Sequence, residues 1–254
     1  MCVINFKINN DPNYILAIAA NRDESYNRPA YPARIHGNIL HGTDAHRGGT
    51  WLGITKTGRI AMITNIRNVE EMTKKSPLSR GDIVLDFLRS ESDAKSFLAQ
   101  LRTESSKYGG FNVILGDLDS LYYMNNYDNQ IEILSENTHG VSNAFLNTPW
   151  AKVQHGKHTL DRLSGDIEED KATLLRLLSS SKKTHSHRQN TGIDKALEYA
   201  LSSQFIELQD MEYGTRCSTV ILITHDGFAH FLERTYTRGT FDFDTEFKFK
   251  IGEA

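Results

Sequence analysis

The chain has 254 residues, 39% of them hydrophobic and 24% charged, with a formal net charge of -3 when His is counted neutral. That is enough chain to bury a sizeable core, and the charge balance gives no electrostatic ground for nucleic acid or an anionic membrane surface as partner. Its two cysteines, Cys2 and Cys217, exclude a disulfide framework.

The first residues lack a basic start followed by an apolar stretch, and no run approaches a membrane span. A cytoplasmic protein with reduced thiols is the expectation. Val3 to Ile8 alternates and Tyr14 to Ala20 is apolar, with the turn formers Asn9-Asn10-Asp11-Pro12-Asn13 between them, so a hairpin is expected. A second pair is expected at Gly49 to Ile54 and Arg59 to Thr64, turning at Lys56-Thr57-Gly58. Ser79 reads as a helix N-cap with Asp82 in the first turn, and a second helix is expected from Asp93 to Leu101. Strands return at Phe111–Leu115, Leu121–Met124 and Gln130–Leu134. Two or three helices follow between Trp150 and Phe205, interrupted by the polar run Ser179 to Asn190, read as a surface loop. Thr219–Thr224, Ala229–Arg234 and Phe241–Phe249 close the chain as strands. No compositional boundary divides it, so one domain over residues 1–254 is expected. Strands and helices come in groups, which favours α+β over a parallel βαβ design.

Cys2 has particular chemistry. Methionine aminopeptidase generally removes Met1 before a small residue, which would leave Cys2 with its own α-amine as a base beside the thiol. If the first two strands form a hairpin, the charged run Asn21-Arg22-Asp23-Glu24 returns next to Cys2. A guanidinium there favours thiolate, and a carboxylate can hold the amine or orient the arginine. The bland alternative is a solvated strand end.

Met-Cys at the start, Asn21-Arg22-Asp23-Glu24, Gly48-Gly49-Thr50-Trp51-Leu52-Gly53, Thr64-Asn65, Ser142-Asn143 and Gly214-Thr215-Arg216, in this order, resemble the NRDE family, whose eukaryotic members are called transport and Golgi organisation proteins. The resemblance implies the N-terminal-nucleophile hydrolase fold, a four-layer αββα sandwich of two antiparallel sheets with helices outside. A more distant resemblance to cysteine amidases such as bile-salt hydrolases and penicillin V acylases implies roles: Cys2 as nucleophile, Arg22 beside it, Asn65 and Asn143 at an oxyanion pocket, and Arg216 as a late active-site arginine. This sequence departs from that pattern in having Arg22 and Asp23 adjacent. Neighbours on a strand face opposite ways, which puts Asp23 in doubt and offers Glu24 as its substitute. Cys217 stands where the pattern leads one to expect Ser, and reads as a buried small residue at the start of a strand.

His36, His41 and His46, with Asp44 among them, lack compact metal-ligand spacing and read as surface-loop residues. No metal is expected. Gly48-Gly49 has no following Lys-Ser/Thr and so is no phosphate loop; it reads as backbone freedom near the site. Two functions follow from the resemblance. One is a cofactor-free cysteine amidohydrolase acting on a small non-peptide amide. The other is a haem or acyl-lipid binding and trafficking protein on the same fold without hydrolysis.

Overall fold

The computed structural model describes residues 2–69, 77–184 and 191–253. Met1 and residues 185–190 of the expected loop therefore lie outside the described residues. The fold is α+β, with two antiparallel sheets. The chain forms two compact units, one of Met1–Asn27 with Glu136–Phe249 and one of Arg28–Ser135 with Lys250–Ala254.

The first unit contains strands β1 (Cys2–Ile8), β2 (Tyr14–Ser25), β10 (Thr138–Val141), β11 (Glu207–Leu208), β12 (Tyr213–Thr224), β13 (Phe228–Thr237) and β14 (Thr240–Lys250). They lie in the order β10-β1-β2-β12-β13-β14, with β11 also on β12. Helices α3 (Ala151–Leu160) and α4 (Ile167–Leu178) cover one face, and a shorter α5 spans Lys195–Ala200. Leu174, Leu175, Leu177 and Leu178 of α4 pack against Ala17, Ala19, Val220, Leu222 and Leu232. These sheet residues all belong to one face, as the two-residue period requires. The N-cap Asp166 accepts from the Glu169 amide, and Glu168, Glu169 and Asp170 fill the first turn, where a helix favours negative charge.

β1 alternates in sequence yet is buried throughout. Its polar residues are absorbed on the helix side. Asn5 sits opposite Gly140 and against Gly156 of α3, where an added Cβ would fall 2.1 Å from Asn5 Cγ. Lys7 reaches Asp11 at 3.0 Å.

The second unit holds β3 (Ala30–His36), β4 (Ile39–Asp44), β5 (Leu52–Thr55), β6 (Ile60–Asn65), β7 (Phe111–Gly116), β8 (Leu121–Asn125) and β9 (Ile131–Ile133), in chain order across the sheet. Helices α1 (Arg80–Arg89) and α2 (Ala94–Glu104) pack on Ala61, Ile63, Phe111, Val113 and Leu115. Ser79 is the N-cap of α1 with no side-chain cap bond, whereas Asp93 caps α2 by accepting from the Ser96 amide. The expectation of surface-loop histidines holds for His46, exposed in the turn after β4, and is corrected for the other two. His36 lies on β3 and His41 on β4, His41 is buried, and their rings stack at 4.5 Å. Gly49 is a site of close approach, but to the start of α1, where an added Cβ would meet the Gly81 backbone at 2.7 Å.

Candidate active site

β2 runs five residues past the expected strand end, through the whole charged cluster to Ser25. The reading of Asn21-Arg22-Asp23-Glu24 as a solvated strand end fails: Asn21, Arg22 and Asp23 are buried. Cys2 lies opposite Arg22 on β2, and Arg22 lies opposite Cys217 on β12. Residues facing each other across antiparallel strands share a sheet face. Cys2, Arg22 and Cys217 therefore stand in one row on the face opposite α3 and α4, with Thr235 of β13 next to Cys217. With β2 between them, the two thiol-bearing strands are about 9–10 Å apart, beyond the Cα separation that a disulfide spans. Both cysteines are free and buried.

Asp23 points to the helix face, as the strand period requires. Its Oδ1 accepts from Thr215 Oγ1 at 2.7 Å, and Thr215 Oγ1 accepts from the Ile206 amide at 2.9 Å. Burial raises the Asp23 carboxyl, opposed by Lys152, by the Thr215 bond and by Arg22. Its carboxylate charge raises the Cys2 thiol, while the Asp23 backbone amide acts the other way. Asn21, on the same face as Asp23, is an architectural residue. Its amide nitrogen donates to the Leu178 and Gln204 carbonyls at 2.8 and 2.9 Å, and its oxygen accepts from Ser218 at 2.6 Å. Glu24 is half-buried, and its Oε1 accepts from the Ser25 amide.

Arg216 is an extra residue. The pairing of β12 with β2 shifts between Thr215 and Cys217, so Arg216 is the unopposed residue of a β-bulge, a device that re-aims a side chain. Its Nη1 donates to the Ser25 and Tyr26 carbonyls at 2.9 and 3.3 Å, and burial lowers its pKa, with Arg22 acting in the same direction. Cys217 is thus the fifth residue of β12 and follows the bulge, rather than starting the strand.

Ser142 and Asn143 come directly after β10, the outer neighbour of β1. Both are buried. Ser142 Oγ donates to the Cys2 carbonyl at 2.9 Å, which fastens this pair beside Cys2. Asn65 is the last residue of β6 in the second unit, opposite Phe111.

The thiols differ electrostatically. Burial raises Cys2, with Asp23 acting in the same direction and Arg22 opposing. Burial raises Cys217 further, reinforced by Glu233, whose carboxyl accepts a bond from the thiol. Glu233 is a buried carboxyl on the row of Thr219, with Oε2 3.4 Å from Thr219 Oγ1. Reading the sequence missed it, because a charged residue in an alternating strand looks solvent-facing. Cys2, Arg22 and the Ser142-Asn143 pair thus lie at one end of β1.

Residues 1–238 match the family described as Transport and Golgi organisation 2. The chain belongs to that family. The Transport and Golgi organization protein 2 homolog of Bos taurus is 35% identical over 258 residues, covering 92% of this chain and 93% of its own. The Drosophila melanogaster Transport and Golgi organization protein 2 is 26% identical over 262 residues, covering 93% of each chain. Among solved structures, a mutant conjugated bile acid hydrolase from Clostridium perfringens aligns with a TM-score of 0.45 at 10% identity, over 99% of this chain and 92% of that one. An N-acylethanolamine-hydrolyzing acid amidase ortholog from Caenorhabditis elegans gives 0.39 at 13%, over 87% and 92%. Among the described residues of this family member, no helix is long and apolar enough to cross a membrane.

Proposed function

We propose that this protein is a cysteine N-terminal-nucleophile amidohydrolase acting on a small non-peptide amide in the cytoplasm. The observation that carries the reading is the placement of Cys2 opposite Arg22, with Ser142-Asn143 fastened to the Cys2 carbonyl. Burial works against a standing thiolate at Cys2, so the proton must leave as the new bond forms. In a chain lacking Met1, the α-amine of Cys2 is the base within reach. Cys2 Sγ attacks the amide carbonyl while that amine takes the thiol proton. Asn143 donates to the oxyanion, and Arg22 offsets the negative charge that builds at sulfur. Collapse breaks the C–N bond, the ammonium returns its proton to the departing amine, and a thioester remains on Cys2. Water, deprotonated by the same amine, attacks the thioester and releases the acid with the thiol restored. Asp23 sits one residue beyond the Cys2–Arg22 pair and steadies the amine.

The test uses untagged protein against a panel of small amides, with the acyl-enzyme sought by intact mass. Cys2→Ala is expected to lower turnover roughly a thousandfold or more, and Asn143→Ala by about 100- to 1,000-fold. Equal turnover by wild type and Cys2→Ala would sink the mechanism.

A second reading, ligand carriage without hydrolysis, is favoured by relatives that are named for transport and Golgi organisation rather than for catalysis. The Cys2 cluster fits a haem poorly. An axial thiolate must be ionised and open to the iron, whereas Cys2 and Cys217 are 8% and 9% exposed and burial raises both. An acyl-lipid cargo is the better form of this reading. Haem titration without a Soret shift, beside saturable binding of a fluorescent acyl chain by Cys2→Ala protein, is the outcome it expects.

A further inference from the structure

The outermost strand of the first unit, β14, is an 11-residue edge reading Thr-Phe-Asp-Phe-Asp-Thr-Glu-Phe-Lys-Phe-Lys. An edge strand of that length presents a row of backbone donors and acceptors to any matching strand. The opposite edge, β10, has only four residues. Like charges usually guard such an edge, but here the charges are ordered. Asp242, Asp244 and Glu246 fill the first half and Lys248 and Lys250 the second. All five share one face, and Phe241, Phe243, Phe247 and Phe249 share the other. Phe241 and Phe243 are 54% and 40% exposed.

This pattern is complementary to itself in one direction only. A parallel copy would set acid against acid and base against base. An antiparallel copy, with its two-fold axis through Glu246, sets Asp244 against Lys248 and Asp242 against Lys250, each pair made twice by the symmetry. On the other face the same register sets Phe243 against Phe249 and Thr245 against Phe247. Such directly opposed pairs are the units that stabilise a sheet. The one like-charged meeting is Glu246 with itself on the axis, and Lys171 of α4 holds that carboxylate at 2.7 Å. A two-fold contact of this kind closes on itself and ends assembly at a dimer.

We propose that β14 is a homodimer interface, pairing antiparallel with β14 of a second copy about a two-fold axis through Glu246. The sheet of the first unit then continues across the axis into its copy.

Light scattering on a sizing column, over a dilution series of the full chain, is expected to show a monomer–dimer equilibrium. Lys248→Asp sets acid against Asp244 at both symmetric positions and should raise the dissociation midpoint at least about tenfold. Combining Lys248→Asp with Asp244→Lys, and with Arg234→Glu to keep an ion pair where Arg234 holds Asp244, restores opposite charges across the axis and should return the midpoint toward wild type. Separately, Glu246→Cys places one thiol opposite its own copy and should cross-link to a covalent dimer under mild oxidation. Cys2 and Cys217 are buried and should leave wild type uncross-linked. A monomer at the highest soluble concentration would overturn the proposal. So would a dimer indifferent to Lys248→Asp, or one that Glu246→Cys fails to cross-link.

Discussion

Arg22 stands between two thiols that differ in what else touches them. Cys2 has the Asp23 amide as a hydrogen-bond donor at its sulfur, which favours the anion. Cys217 has the Glu233 carboxyl beside it and is raised the further of the two. The thiolate is the reactive form, so Cys2 should be alkylated before Cys217. The rates should differ by about threefold for each unit that separates the two pKa values, because the less basic thiolate is more abundant but less nucleophilic. Timed iodoacetamide labelling with peptide mapping reads this directly, and labelling of Cys217 first would contradict it. The sign with pH is fixed: both rates rise as pH rises, with Cys217 lagging. Glu233→Gln removes the negative charge next to Cys217, so it should speed Cys217 and narrow the gap while leaving Cys2 nearly unchanged. Asn21, by contrast, holds the site without touching it. Asn21→Ala strands the buried Leu178 and Gln204 carbonyls, while Ser218 keeps the Tyr236 hydroxyl as a partner. It should cost about 2–4 kcal/mol in urea unfolding.

Strands β2 and β12 together make the site, and the bulge at Arg216 decides which way its residues point. Were Arg216 part of the ladder instead of bulged, it would face Arg22 itself, and Cys217 would move one place on to face Asn21. Gly214, two residues earlier, admits no side chain, since an added Cβ would meet Tyr26 Oη at 2.3 Å and the Ile206 carbonyl at 2.6 Å. Gly214→Ala should therefore destabilise by about 1–3 kcal/mol, and a loss below a few tenths would show that β12 can shift its register. Much of this was legible in sequence at the level of elements. Alternation and the turn formers at 9–13 located the β1–β2 hairpin, and that hairpin brought Arg22 to Cys2. What stayed hidden was the continuation of β2 through five polar residues. The partners that satisfy Asn21 lie 157, 183 and 197 residues away, and the one that satisfies Asp23 lies 192 away. No local window contains them. β3 and β4 were missed because most of β3 is exposed and Pro32 within it argues against a strand. β10 was missed because four residues carry too little pattern.

The two units, taken separately, each carry a histidine that burial lowers, His41 in one and His230 in the other. The unit of Arg28–Ser135 is inserted into the chain between Asn27 and Glu136, with its own sheet and its own apolar cluster. It contains His41, whose ring is buried, with Nδ1 2.8 Å from the Gly42 carbonyl. Burial lowers His41 below the ordinary histidine value, and His36 and Arg89 act in the same direction. The unfolded chain then binds the proton more readily than the folded one. Stability is full above about pH 6.5 and is lost as pH falls through that value toward the folded pKa. One such group imposes a slope of at most about 1.4 kcal/mol per pH unit. Asp82 and Asp86 in the same unit are raised by burial, so their protonation favours the fold, but only near the carboxylate range. Between pH 6.5 and 5.5 the histidine sets the sign. Protection factors of the β4 and β5 amides, each referred to the intrinsic exchange rate at that pH, should therefore fall over that interval. His41→Phe should flatten the slope, because a ring of similar size without a titrating nitrogen keeps the packing against His36. An unchanged slope in His41→Phe would assign acid sensitivity to the other unit, where His230 is also lowered by burial. β12 exchange would then move first.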